Sequence, residues 1–460
     1  MVLPSWLGLL DPREAWRPEF RDYTAAKFQQ DLLAGLTTGV VALPLALGFG
    51  VSSGAGAAAG LFTAIVAGFV GSAFGGSRYN ITGPTGAMTV VLLPIVAQYG
   101  LDKVFAVGCM AGLMLLAMGL LRLGRLISLI PYPVVTGFTN GIAVIIFLQQ
   151  LPGALGVEAP KGVNILAVSL ETLRAFWARP HPGPALLTLL TAALILRWNR
   201  RFHRVPGSIV ALLGVTALSL PLGGLPRIGA IPAGLPLPHF PSVSLEDVSG
   251  LFSPALAVAL LAGIESLLSA VVADGMTIRE RHDPDRELIG SGLANLLAPV
   301  FGGIPATGAI ARTAVNVRSG GQTRLSGMIH ALFLLLVVAL GHWASLIPRA
   351  ALACILMVTA WRMVEWDAVR AVLRSTKSDL STMLVTMGVT VAFDLVLAIE
   401  VGLVLAGVLF IVRMRRSLWT CCPRSRRTWG PTTTSYVSGW WPSGWTGRCF
   451  SQWQGSLSRA

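Results

Sequence analysis

Gly83-Pro84-Thr85-Gly86-Ala87-Met88-Thr89 and Ile304-Pro305-Ala306-Thr307-Gly308-Ala309-Ile310-Ala311-Arg312 are built alike. Each places Thr-Gly-Ala after a proline, and each opens a short helical segment. They occupy matching places in two hydrophobic halves of the chain. Paired interruptions of this kind mark the binding site of a membrane carrier. A helix that begins inside the membrane leaves its first N–H groups unpaired and presents a positive dipole end. Two such ends aimed at one cavity make an anion site. Arg312, one turn into the second segment, adds a full positive charge.

Composition agrees with a polytopic membrane protein. Of 460 residues, 54% are hydrophobic and only 12% charged, with a mean hydropathy of +0.70. Soluble chains carry about twice that charged fraction. The net charge of +14 does not point to nucleic acid, because the cations sit in short gaps between apolar runs, where they set topology. No cleavable signal peptide is evident: residues 1–30 carry Asp11, Arg13, Glu14, Arg17, Glu19, Arg21, Asp22 and Lys27, and read as a cytoplasmic segment along the membrane surface. Cys109 and Cys354 lie in apolar runs and read as packing residues. No Cys/His spacing fits a metal site, so neither a metal nor a cofactor is expected. No nucleotide loop or nucleophile elbow is present, which argues against an enzyme.

With about 20 apolar residues per crossing, spans fall at 31–52, 55–74, 84–99, 103–121, 131–153, 184–200 and 206–222. A second set falls at 251–273, 286–303, 308–319, 324–346, 348–364, 379–394 and 395–414. The expected fold is all-α, with 14 transmembrane segments as two inverted seven-span repeats, since an odd number per repeat reverses the second. The third and tenth spans are short and broken. The repeats cover 31–222 and 251–414. They are joined by an outward Pro/Gly-rich linker at 223–250, and an irregular tail follows at 415–460. With both termini in the cytoplasm, inward segments up to Arg416 hold 23 Lys/Arg and outward segments 6, a bias that supports this orientation in a cell inner membrane. Ile165–Trp177 reads as a surface helix and Trp361–Asp379 as an amphipathic cytoplasmic one. Residues 417–460 hold 6 of the 13 Trp and no Asp or Glu. They show no helical or strand period, and read either as a truncated or frame-shifted end or as a basic-aromatic surface tail.

Asp31–Thr37, Ala59–Ala64, Phe74–Asn80, Gly83–Ala87, Gly263–Ala270 and Thr307–Arg318 resemble the sulfate permease (SulP) family of anion transporters. The resemblance runs from about residue 27 to 414. It implies core and gate domains, alternating access, a homodimer, and a substrate site between the third and tenth spans. Carried over residue by residue, that site comprises Gly86, Ala87 and Met88, with Gly308, Ala309, Ile310, Ala311 and Arg312. Leu45 falls where the family often has Gln, which makes the pocket wall less polar. Glu265 matches the family's intramembrane acid. The family usually continues into a STAS domain, for which no recognisable sequence is present here.

Glu265 lies mid-span in an apolar run, where a charged carboxylate is expensive. It reads as the ion-coupling residue, carrying a proton, with sodium as the competing ion. The bland alternative is a static ion pair with Arg312 or a hydrogen bond to a broken-helix N–H. Arg312 reads as electrostatic support for the anion. His330 reads as a packed core histidine, and the charged run Asp274–Arg286 as a solvated loop. The expectation is proton-coupled symport of a small anion, with a fumarate-like dicarboxylate as the first candidate. Bicarbonate or sulfate, a nucleobase permease and an anion channel are the alternatives. The lipid bilayer is the remaining partner.

Overall fold

The computed structural model describes residues 19–127, 132–158, 165–180, 182–201, 206–221, 225–229, 236–240, 245–277, 281–339, 345–364, 366–374 and 377–392, with Trp16, Pro232, Gly234, Gly341 and Val408. The chain divides into two units, Met1–Gly402 and Leu403–Ala460. Every element below belongs to the first. The expected fourteenth span and the tail lie outside the described residues, apart from Val408.

Helices dominate. They are α1 (Ala25–Ser52), α2 (Ala57–Phe74), α3 (Gly86–Tyr99), α4 (Leu101–Leu120), α5 (Gly124–Ile127), α6 (Tyr132–Gln149), α7 (Leu151–Leu155), α8 (Ile165–Ala178), α9 (Pro182–Arg201) and α10 (Gly207–Ser219). They continue as α11 (Leu245–Met276), α12 (Pro284–Val300), α13 (Ile310–Arg318), α14 (Leu325–Val338), α15 (Arg349–Met363), α16 (Trp366–Leu373) and α17 (Lys377–Ala392). Five described stretches are long and apolar enough to cross a membrane, and further apolar helices such as Gly86–Tyr99 and Leu325–Val338 are shorter. A described helix falls on every expected span but the last. The surface helix at 165–178 is present. The amphipathic stretch 361–379 is not one helix: α15 ends at Met363, and α16 and α17 follow separately.

Among the described residues, two tiny strands break the helical pattern, and they organise the centre. β1 (Thr82–Gly83) pairs antiparallel with β2 (Thr307–Gly308), Thr82 opposite Gly308 and Gly83 opposite Thr307. Each strand directly precedes a short helix, α3 and α13. Local chemistry explains the breaks. Thr85 is extended and its hydroxyl accepts from the Met88 N–H, capping α3. Pro84 and Pro305 keep the chain extended on the approach. Neighbouring helices satisfy the backbone exposed by these breaks, as a membrane interior requires. Thr63 binds both the N–H and the C=O of Ile304. Asn295 does the same for Ala306, at 2.8 Å each way.

Three of the described N-terminal side chains, Trp16, Glu19 and Tyr23, are tied to the helices, while most of residues 21–30 are exposed. Glu19 is buried and accepts two hydrogen bonds from the Arg324 guanidinium, at 2.9 and 2.8 Å. Arg324 also donates to the Ala73 and Gly75 carbonyls at the end of α2, and Trp16 donates to Ala73 as well. Asp31 accepts from Tyr23 and from Gln322 and Thr323. Burial, with Asp31 beside it, pushes the Tyr23 phenol well above its ordinary range. The charged run before α12 is likewise not simply solvated. Asp283 caps α12, while Asp285 and Arg286 are buried, Asp285 accepting from the Gly124 N–H.

Candidate functional site

The two half-helix starts meet. The β1–β2 pairing brings Thr85, the cap of α3, against Thr307 of β2, with their hydroxyl oxygens 2.9 Å apart. Both hydroxyls donate to the same carboxylate oxygen, Oε2 of Glu265 on α11, at 2.9 Å from Thr85 and 2.5 Å from Thr307. Among the described residues, Glu265 therefore takes its hydrogen bonds from neither Arg312 nor a helix N–H, but from one threonine of each broken segment. Three oxygens converge there, a chemistry that suits a proton or a hard cation.

Arg312 is fully buried and spans the gap between the two segments. Its Nη2 donates to the Pro84 carbonyl, just ahead of α3. Its Nη1 has no hydrogen-bond partner among the described residues and lies against Gly83, where a Cβ would come within 2.5 Å of it. Glycine there lets the guanidinium reach the backbone of the opposite strand. Gly308 answers a similar demand: a Cβ would fall 2.7 Å from the Ser266 Cα.

The residues expected at the site are brought together in two groups. Gly86, Ala87 and Met88 form the buried first turn of α3. Gly308 and Ala309 are buried, Ile310 is half-buried and Ala311 exposed around the start of α13. Leu45, on α1, belongs to the same buried apolar cluster as Ala87 and Met88. His330 is fully buried on α14. Asp394 and Glu400, read from sequence as interfacial or gate residues, lie outside the described residues.

Of the polar residues that hold this centre, sequence reasoning singled out only Ser269, as a possible oxygen ligand beside Glu265 and Thr307, and missed the others. Asn80, Ser266, Ser269, Glu287, Asn295 and Thr313 are all buried. Ser266 accepts from the Gly308 N–H at 2.9 Å, and the Thr313 hydroxyl accepts from the Ile81 N–H at 3.0 Å. The signal available was positional: Asn80 and Thr313 stand immediately beside the paired motifs.

A family profile described as "Sulfate permease family" matches residues 28–386. The chain belongs to the sulfate permease family. It is a multi-pass membrane transporter of anions and not an enzyme. Among its relatives is the putative sulfate transporter YvdB of Bacillus subtilis, 42% identical over 86% of this chain and 76% of that protein. The bicarbonate transporter BicA of a Picosynechococcus species is 39% identical over 84% of this chain and 70% of that one. The solved transmembrane domain of a cyanobacterial BicA superposes with a TM-score of 0.74 at 36% identity, covering 82% of this chain and 98% of that domain. Murine Slc26a9, an anion transporter solved in an inward-facing state, shares the fold at a TM-score of 0.78 and 17% identity, covering 88% of this chain and 72% of that one.

Proposed function

We propose that this chain is a secondary active transporter of bicarbonate, with sulfate as the second candidate, working by alternating access. The observation that carries the proposal is the convergence of two half-helix starts and Arg312 on one point beside Glu265. The anion sits between the first turns of α3 and α13, at Gly86–Met88 and Gly308–Arg312, with Leu45 in the pocket wall. Paired dipole ends supply roughly one positive charge between them. Bicarbonate transporters matched over most of the chain support bicarbonate, and the putative sulfate transporter at 42% identity keeps sulfate beside it. A fumarate-like dicarboxylate finds no support among these relatives.

Glu265 is the ion-coupling residue. Its cluster with the Thr85 and Thr307 hydroxyls serves a proton, and the gathering of three oxygens supports sodium as the second reading. The wider arrangement is two inverted seven-span repeats in the inner membrane, both termini cytoplasmic, assembled as a homodimer. Uptake of labelled bicarbonate and sulfate into proteoliposomes, under an imposed proton or sodium gradient, tests the reading. Accumulation of either anion driven by one gradient upholds it. Transport of nucleobases only, or an anion current linear in voltage that never saturates, overturns it.

A further inference from the structure

Residues 76–81 join the end of α2 to β1, and so set where α3 begins. Besides the bonds that α13 makes to Tyr79 and Ile81, two side chains that belong to neither half-helix, Glu287 and Asn80, tie this segment to the rest of the protein. Glu287, in the first turn of α12, is buried. Its Oε2 accepts from the Gly76 and Ser77 N–H groups at 2.8 and 2.9 Å, and its Oε1 from the Asn80 amide at 2.5 Å. Three donors on one carboxylate are charge-assisted bonds, about twice as strong as neutral ones. The other end of the Asn80 amide is equally committed. Its Oδ1 accepts from the Ser269 hydroxyl at 2.6 Å and the Thr313 hydroxyl at 3.0 Å. Ser269 lies one turn beyond Glu265 on α11, and Thr313 directly follows Arg312 on α13.

We infer that Asn80 and Glu287 are positioning residues for anion binding. Glu287 fixes the segment leading to α3, and Asn80 locks it to the two helices that carry Glu265 and Arg312. A buried, satisfied network of this kind specifies one geometry, here the separation and aim of the two half-helix starts. The inference rests on the proposed location of the anion between those starts.

The hydrogen-bond pattern permits a swap. With Glu287→Gln and Asn80→Asp together, the amide carbonyl introduced on α12 can accept from Gly76 and Ser77. The NH2 of that amide can donate to the carboxylate introduced before β1, whose second oxygen accepts from Ser269 and Thr313. Asn80→Asp alone opposes two carboxylates. The measurement is the half-saturation concentration for labelled bicarbonate and for sulfate in proteoliposomes holding the full chain. That quantity is independent of how many molecules fold, whereas the maximal rate is not. The expected result is a rise of about tenfold or more for Asn80→Asp, a smaller rise for Glu287→Gln, and a return to within about threefold of wild type in the double variant. Where Asn80→Asp yields no active protein, Asn80→Ala and Glu287→Gln carry the same comparison. Wild-type half-saturation in the single variants, with only the maximal rate reduced, overturns the inference, as does a double variant no better than its worse parent. Ala309→Leu separates this failure from that of the site itself. If filling the start of α13 leaves half-saturation unchanged, the anion site is misplaced. If it raises half-saturation while the Asn80 and Glu287 variants do not, only the positioning role falls.

Discussion

The two half-helix starts share a sequence pattern, pair strand to strand and donate to the same carboxylate, yet they are finished differently. The first is closed by its own side chain: Thr85 caps α3, and the turn behind it is Gly-Ala-Met, small and apolar. The second has no side-chain cap, since Ala309 stands at that position, and it carries Arg312. One start contributes shape and a hydroxyl, the other an uncapped end and a guanidinium. Even the guanidinium is shared, because it reaches across to Pro84. Two segments built on one sequence pattern can thus differ in task through two or three side chains.

Arg312→Ala should break this division of labour most severely. It removes the buried charge and strands the Pro84 carbonyl, and an unsatisfied buried acceptor alone costs about 1–3 kcal/mol. Anion uptake in proteoliposomes should fall at least about a hundredfold, and Arg312→Lys should recover little of it, because a point charge does not reproduce the planar fork. Uptake near wild type in Arg312→Ala would remove Arg312 from the site. Next in size, Glu265→Gln should abolish accumulation driven by a cation gradient while anion exchange persists. Exchange and gradient-driven uptake measured on the same vesicles check this, and gradient drive surviving in the variant would move coupling elsewhere.

Gly308→Ala should cost more than Gly83→Ala. The added methyl meets the backbone of α11 in the first case and the end of a flexible side chain in the second. Thermal unfolding in detergent should place Gly308→Ala lower, and the reverse order would mean the strand pair is looser than its contacts imply. Smallest, Thr85→Ala should lose about 1 kcal/mol as a helix cap, and Thr85→Ser should restore it. Thr307→Ala should weaken cation coupling without that loss, so equal thermal shifts in Thr85→Ala and Thr307→Ala would erase the asymmetry.

Much of this centre was legible in the sequence. Thr-Gly-Ala after proline, occurring twice at matching places, located both breaks, and the apolar lengths located the helices around them. Glu265 and Arg312 stood out because charge is rare in such runs. Their partners did not stand out. Thr85 reads as part of a motif, and nothing local says that its hydroxyl meets a carboxylate 180 residues away. Asn80, Thr313 and Asn295 are single polar residues with no period. Glu287 follows a charged run and draws no notice at the start of a span, although its buried hydrogen bonds make it a clamp. Glu19 reads as one charge of a surface segment, and Asp31 as the start of a motif, although each reaches a partner about 300 residues on. Local patterns betray backbone breaks, whereas long-range polar pairing leaves no local trace.

That distance has a consequence for how the protein is made. Glu19 leaves the ribosome among the earliest residues, and its partner Arg324 is synthesised 305 residues later. Arg78 offers Glu19 a nearer guanidinium at 3.4 Å and Trp16 already donates to the Ala73 carbonyl, so what waits for Arg324 is its own pair of bonds to Glu19 and its bond to the Gly75 carbonyl at the end of α2. The central strand pair waits almost as long, since Thr82 precedes Gly308 by most of the described chain. The core is therefore closed late, by its second half arriving, and a nascent chain stopped before Arg324 lacks both the central strand pair's full setting and the guanidinium that joins Glu19 to the Gly75 carbonyl.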